Sequence, residues 1–389
     1  MDQSTSDRLN GEAMAAIQAR DFPRALSLLA QAEAAHPRDP QTPMNRALVL
    51  RSQGNLRGAI DALDAALALD PYQYVALLSK GALMEKAGQV REAARIFKNA
   101  LKIVPSDNAL PAPLRPVVEH ARAAVARNTE ALNSFLRRRT EALRADFPGE
   151  DLRRFDECLD IASGAKKVYV QEPLFLTFPK LPAITFHDRA HFPWMPALEA
   201  QTDVIRDELT AQLKVYWDRF HPYIQFPPGA PVNQWEALNH SPDWTSLHLW
   251  RDGRKIAENC ALFPRTTAIL ENLPMADQPG FAPTAMFSVL QPRTTIPPHT
   301  GSSNTRLIAH LPLIIPEGCR FRVGNDVRPW VMGESFVFDD TIEHEAWNDS
   351  DQLRAVLIFD VWNPALTMAE RALVSSMMTA INAYNLGET

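Results

Sequence analysis

The sequence predicts a multidomain α and β protein: an N-terminal α-solenoid, a helical connector, and a β-sandwich or small barrel with flanking helices. Three observations predict it. The first third is rich in Ala and Leu and repeats with a fixed period. From about Lys166 onward, short apolar runs alternate with Pro, Gly, Asn and Asp turns. The length, 389 residues, exceeds what a single ordinary core serves.

The repeat comes first. Pro37, Pro71 and Pro105 are spaced by 34 and again by 34. Ala25, Ala59 and Ala93 fall in register with them, as do Ala32, Ala66 and Ala100. Ala13, Ala47 and Gly81 form a third small column, and Leu29, Leu63 and Phe97 a large apolar one. Gly54 and Gly88 mark matching turns, with Arg20 as the degenerate first copy. Small side chains let paired helices approach closely, and each proline ends a second helix because it has no backbone N–H to donate. The unit resembles the tetratricopeptide repeat, so residues 1–105 are expected to form a repeat domain that can engage a protein partner. An ordinary Ala-rich bundle is the alternative.

Residues 106–165 hold a PSDNALPAPLRP loop and then an unbroken apolar periodicity. This predicts one or two helices that cap the solenoid and connect it onward. The basic cluster Arg137, Arg138 and Arg139 reads as a solvated helix face. In the remainder, 166–389, the runs KVYVQEPLFLTF, AMFSVL, RLIAHLPLII, CRFRVG, ESFVFDD and RAVLIFDVW read as strands. LEAQTDVIRDELTAQLKVYWDRF reads as an amphipathic helix of several turns, and ALTMAERALVSSMMTAINAYNL as a final helix.

Bulk properties narrow the function. A net charge of −6 supplies no basic footprint for nucleic acid or an anionic membrane surface. No apolar stretch approaches the ~20 residues of a membrane span. The first residues are acidic and polar where a secretion signal needs a basic end and an apolar run. Three widely spaced cysteines, Cys158, Cys260 and Cys319, show neither a disulfide framework nor a zinc pattern. A cytoplasmic protein is expected.

The chemistry centres on PPHTGSSNTRLIAH, residues 297–310. His299 ends a proline-stiffened strand, and His344 follows another strand 45 residues later. Two imidazoles converging at a barrel mouth suit Fe(II), Zn(II) or another borderline metal. Where an iron enzyme often places Asp or Glu, two residues after the histidine, the chain has Gly301. Arg354 shares a strand face with Val356 and Ile358, as Arg306 does with Ile308 and His310. A buried arginine needs an anion. That anion could be a dicarboxylate chelating a metal, or a structural aspartate such as Asp360 or Asp326.

Taken together, His-Thr-Gly, Arg-Leu-x-x-His-Leu, Gly-Glu-x-x-x-Phe-Asp-Asp, His-Glu-x-Trp and Arg-x-x-x-x-x-Asp-Val-Trp resemble the catalytic core of the aspartyl/asparaginyl β-hydroxylase family. The likeness runs from about Trp244 to Thr367. It implies a double-stranded β-helix (jelly-roll, cupin-like) dioxygenase that uses Fe(II), O2 and 2-oxoglutarate to hydroxylate a C–H bond, with succinate and CO2 as coproducts. It assigns His299 and His344 to the metal, and Ser288, His310 and Arg354 to 2-oxoglutarate, with Arg354 on the distal carboxylate. Gly301 then marks a site that leaves one metal position to water, and neither Asp339, Asp340, Glu343 nor Glu345 is expected as a third ligand.

One position departs from the pattern. Ile308 stands where members of the family that hydroxylate Asp or Asn in secreted disulfide-rich domains carry an arginine for the substrate's acid. The expected substrate is therefore a free amino acid, a natural-product intermediate or a peptide with a neutral residue, with Arg306, Ile308 and Trp244 as pocket candidates beside Trp250 and Trp347. Two other readings compete: a repeat scaffold whose barrel binds a ligand without turnover, and a cupin isomerase.

Overall fold

A computed structural model describes residues 3–385. The outermost positions of the expected domain limits, and Leu386 of the expected last helix, lie outside the described residues. The chain divides into two units, 1–166 and 167–389.

The first unit is helical. Six helices come as three pairs: α1 (Gln3–Gln18) with α2 (Phe22–Ala35), α3 (Gln41–Ser52) with α4 (Leu56–Leu69), and α5 (Tyr74–Lys86) with α6 (Val90–Leu101). The four columns of the repeat are all buried. The turns repeat as well: Gly54 and Gly88 both have φ +79°, and Arg20 adopts φ +59° at the same station. Asp21 and Asn55, 34 residues apart, each cap the following helix by accepting from the backbone N–H three residues on. In the third pair a larger ring meets a smaller partner. A Cβ on Gly81 would lie 2.5 Å from the Phe97 ring, so glycine there is a packing requirement. Between α1 and α3 lies a buried polar network. The Asn10 amide donates to Asp39 (3.0 Å) and Thr42 (2.9 Å) and accepts from Asn45 (2.9 Å), which leaves its polar atoms satisfied.

Residues 106–165 form two helices of this same unit, α7 (Arg115–Arg144) and α8 (Arg153–Ser163). Helix α7 starts inside the expected loop, because Pro116 suits a first helical turn, where its missing N–H costs nothing. Arg137 is not merely solvated: it donates to Asp160 at 2.5 Å and so ties α7 to α8.

The second unit is built on two antiparallel sheets. Its strands are β1 (His221–Pro222), β2 (Trp244–Arg251), β3 (Arg254–Lys255), β4 (Ala285–Leu290), β5 (Thr294–His299), β6 (Arg306–Ile314), β7 (Cys319–Val323), β8 (Asp326–Pro329), β9 (Phe336–Phe338), β10 (His344–Asn348) and β11 (Arg354–Trp362). The larger sheet runs β1-β2-β4-β11-β6-β9, with β3 on β2, and the smaller runs β5-β10-β7-β8. Its helices are α9 (Met195–Glu199), α10 (Thr202–Leu213), α11 (Ala257–Leu262), α12 (Pro264–Glu271) and α13 (Met368–Asn385).

Period-two alternation sorts the larger sheet into two faces. Phe287, Leu307, Leu311, Leu357 and Phe359 pack under Met195, Ile205 and Leu209 from the helices and Phe263 from the junction of α11 and α12. Trp244, Leu290 and Val356 point the other way and share an apolar cluster with Ile296, Phe321, Val323 and Ala346 of the smaller sheet. The site lies between the sheets.

Two expected elements differ. Residues 167–178 form no strand, only isolated bridges at Gln171 and Leu176. Pro173 interrupts the run without an N–H to pair, and Leu174 is 76% exposed. The helix expected across 198–220 is broken: its first residues belong to α9, and its main part is α10. Helix α10 ends at Leu213, before the β-branched and aromatic run Val215, Tyr216 and Trp217.

One buried histidine sets a pH dependence. Neither ring nitrogen of His187 has a hydrogen-bond partner. Burial, with His191 nearby, lowers its pKa from 6.5 to about 4. Between those values the unfolded chain carries the extra proton, so this group makes stability rise with pH and fall as pH drops from about 6.5 toward 4. The slope is roughly 1.4 kcal/mol per pH unit for one group. Urea melts near pH 7 and pH 5 should separate in the wild-type protein, and His187→Leu should narrow that gap by this one group's share.

Candidate active site

The cavity between the sheets has a volume of about 290 Å³. It gathers all eight candidate site residues: Trp244, Ser288, His299, Arg306, Ile308, His310, His344 and Arg354. Trp250 and Trp347 are elsewhere. Trp250 packs in the core beneath the helices, and Trp347 lies under the Arg320 guanidinium at 4.3 Å.

His299 and His344 are Cα partners across β5 and β10, and their ring centroids are 4.0 Å apart. Each Nδ1 faces a backbone carbonyl two residues back, Pro297 at 2.8 Å and Ile342 at 3.1 Å. Donation from Nδ1 leaves each Nε2 as a lone-pair donor, the arrangement that metal-binding histidines need. Burial depresses both pKa values, and for His344 the neighbouring His299 adds to the effect. Both rings are thus held neutral, the form that binds a metal. Trp235 stands edge-on to His299 at 5.0 Å.

The acids near this pair fall into two groups. Glu343 and Glu345 both pair with Arg322, at 2.8 Å for Glu343, and neither lines the cavity. Asp339 accepts from Thr341 and Gln171. Asp340 does line the cavity, and its Oδ1 has no partner. Burial raises its pKa to about 7 against the pull of Arg306. Its Oδ2 lies 1.9 Å from where a Cβ on Gly301 would stand. The volume vacated at Gly301 is therefore filled by a carboxylate from a different loop. Among the described residues, no three or more His, Cys, Asp or Glu side chains are arranged to hold a metal ion.

Arg354 is 2% exposed, and its Nε and Nη2 have no hydrogen-bond partner. Burial lowers its pKa to about 10. The two structural partners suggested by sequence are engaged elsewhere. Asp360 accepts from Arg306 at 2.5 Å and from the Thr284 N–H at 2.7 Å, and Asp326 accepts from Thr185. His310 Nδ1 also lacks a partner, and burial together with Arg354 pushes that imidazole's pKa well down. Ser288 is fully buried and accepts from the Trp244 indole at 3.1 Å, so its own hydroxyl hydrogen is free to donate. The site therefore combines two Nε2 lone pairs with a cation and a hydroxyl that lack an acceptor. That donor set fits a divalent metal chelated by a dicarboxylate.

The wall between these groups is mostly apolar: Met286, Ile296, Ile308, Phe321, Phe338 and Ile358. Several lining residues escaped the sequence reading, including Tyr223 and Trp235, which lie outside the strands and α-helices, where no periodicity assigns a face.

Residues 199–364 match the Aspartyl/Asparaginyl beta-hydroxylase family, and residues 10–74 match a tetratricopeptide repeat. The chain is 35% identical over 180 residues to the Aspartyl/asparaginyl beta-hydroxylase of Mus musculus, covering 46% of this chain and 24% of that protein. It is 33% identical over 197 residues to the Ornithine lipid ester-linked acyl 2-hydroxylase of Rhizobium tropici, covering 50% of this chain and 66% of the relative. A solved structure, the first TPR of Spaghetti (RPAP3) bound to an HSP90 peptide, is similar at 18% identity and TM-score 0.29. That match covers 32% of this chain and 99% of the other. The chain thus spans less than two thirds of the length of the first of these relatives.

Proposed function

For a chain that carries an aspartyl/asparaginyl beta-hydroxylase family domain behind tetratricopeptide repeats, we propose an Fe(II)- and 2-oxoglutarate-dependent dioxygenase acting on an amino-acid, peptide or protein substrate. The observation that carries this reading is Arg354, a buried cation with no anion among the described residues, in the same cavity as two imidazoles whose Nδ1 atoms are taken up by backbone carbonyls and whose Nε2 atoms are left for a metal. A buried charge is retained at such cost only where something pairs with it.

In this reading, His299 and His344 hold the metal through Nε2, and Arg354 holds the distal carboxylate of the cosubstrate, with Ser288 and His310 completing the hold. When bound, iron and 2-oxoglutarate supply the oxidation that hydroxylates a C–H bond, releasing succinate and CO2. The barrel walls keep bulk water from the reacting carbon, and a double-stranded β-helix description suits the two facing sheets. The substrate-side cation Arg306 is already neutralised by Asp360. With Ile308 beside it, the pocket suits an uncharged group in place of a carboxylate. An acyl chain is the second reading, favoured by Met286, Ile308 and Ile358 on the wall and by the exposed Leu174 at its edge.

Among the described residues, no helix is long and apolar enough to cross a membrane. We place the protein in the cytoplasm, where its three unbridged cysteines would remain thiols. In the repeat unit, a groove of about 390 Å³ lined by Met14, Asn45, Arg51, Ser79 and Leu83 is where a peptide partner would lie.

Anaerobic protein given Fe(II) and 2-oxoglutarate should develop a weak visible charge-transfer band, and succinate should accumulate once O2 and substrate are admitted. Absence of both in the wild-type protein would favour the non-catalytic scaffold instead.

A further inference from the structure

Arg354 has no anionic partner among the described residues, yet its guanidinium is not loose. Its central carbon lies 5.0 Å from the centroid of the Trp330 ring. The same indole lies nearly parallel to the His310 imidazole, at 5.3 Å and 13°. Trp330 is itself wedged against Phe321 at 5.2 Å and Phe336 at 5.3 Å, and is 5% exposed. One rigid ring thus orients both the unpaired cation and the unpaired imidazole. A π face attracts a cation without using its N–H donors, so Nε and Nη2 stay available for a ligand. An acidic partner would hold Arg354 more strongly, but would occupy the donors the ligand needs.

We infer that Trp330 is a positioning residue for the dicarboxylate cosubstrate: its indole pins Arg354 and His310 in the orientations that receive 2-oxoglutarate. The inference rests on the oxygenase reading above. Trp330 does not line the cavity and has no ring contact with His299 or His344 among those described, so it acts through its two neighbours.

The test compares two ligands on the full-length protein loaded with Mn(II) without O2. 2-Oxoglutarate carries the distal carboxylate, and pyruvate has the same 2-oxo acid head without it. Calorimetry gives the ratio of their affinities, a quantity that a merely structural residue would leave unchanged. Trp330→Leu should weaken 2-oxoglutarate roughly ten- to thirtyfold while pyruvate and Mn(II) stay within about twofold. Trp330→Phe keeps a weaker aromatic face and should lose about three- to fivefold in the same ratio. If the leucine variant does not fold, the phenylalanine variant decides alone. A ratio within about twofold of wild type in the folded variants overturns the proposal. Wild-type protein that does not favour 2-oxoglutarate over pyruvate fails the oxygenase reading first, and the inference with it.

Discussion

Replacing Arg354 by leucine should make the ligand-free protein more stable while removing its response to 2-oxoglutarate. In the absence of ligand, this side chain is fully enclosed, carries a charge, and leaves two N–H groups unbonded. Exchanging such a group for an apolar one of smaller volume removes a desolvation penalty and leaves a modest gap. Replacements of buried charges by apolar residues gain about 1–4 kcal/mol in favourable cases. Surrounding Arg354 are Trp330, Cys319 and His310, whose rings and thiol do not compensate a charge as a carboxylate would. The functional cost is the opposite. Losing the partner of a buried carboxylate costs about 2–5 kcal/mol, or roughly thirty- to several-thousandfold in 2-oxoglutarate affinity. Urea melts with and without 2-oxoglutarate on metal-loaded protein read both signs together. Wild type should start lower and rise with ligand, and Arg354→Leu should start higher and stay there. A variant less stable than wild type without ligand would mean that Arg354 is a structural residue.

What was legible in the sequence follows from periodicity. The repeat could be read because each column is one packing position recurring every 34 residues, and all of those side chains are buried. The inner face of the larger sheet could be read for the same reason. Arg306, Ile308 and His310 alternate with buried Leu307, Ala309 and Leu311, so one strand displays cavity and core in strict turn. Pattern misled where backbone pairing was absent. Val168 and Val170 alternate as a strand would, but both are exposed and the run belongs to no sheet. Contacts made by irregular chain were not legible at all. Nothing local to Trp330 indicates that it would lie on Arg354, because Trp330 follows the end of β8 and Arg354 begins β11. Asp340 could be assigned to a turn, yet its approach to Gly301 depends on two loops meeting in space.

That approach yields the second large expected effect. Gly301→Ala should destabilise the second unit and weaken metal binding, even though it adds only one methyl group. Gly301 does not have a left-handed backbone, so conformational strain is not the reason. The reason is volume: the new Cβ would fall 1.9 Å from Asp340 Oδ2 and 2.1 Å from its carboxyl carbon. Asp340 has little room to retreat, since its own backbone carbonyl accepts from the Gly301 N–H at 2.6 Å. The strand end that carries His299 must yield, and it lies only two residues away. Overpacking of this kind costs about 1–3 kcal/mol or more, and a displaced ligand typically loses ten- to a hundredfold in metal affinity. Gly301→Asp should be worse still, despite restoring the acid that many iron sites carry at this station. Combining it with Asp340→Gly returns one carboxylate to the same volume, and should recover most of the lost stability. Thermal melts and Mn(II) titrations of the two single variants and the pair decide the matter. A Gly301→Ala protein as stable as wild type, or a pair no better than Gly301→Asp alone, would show that the two loops do not compete for that space. If the competition holds, the bare backbone at Gly301 and the buried acid at Asp340 are one feature: a side chain at either position fills the same volume, so only one of the two can be large.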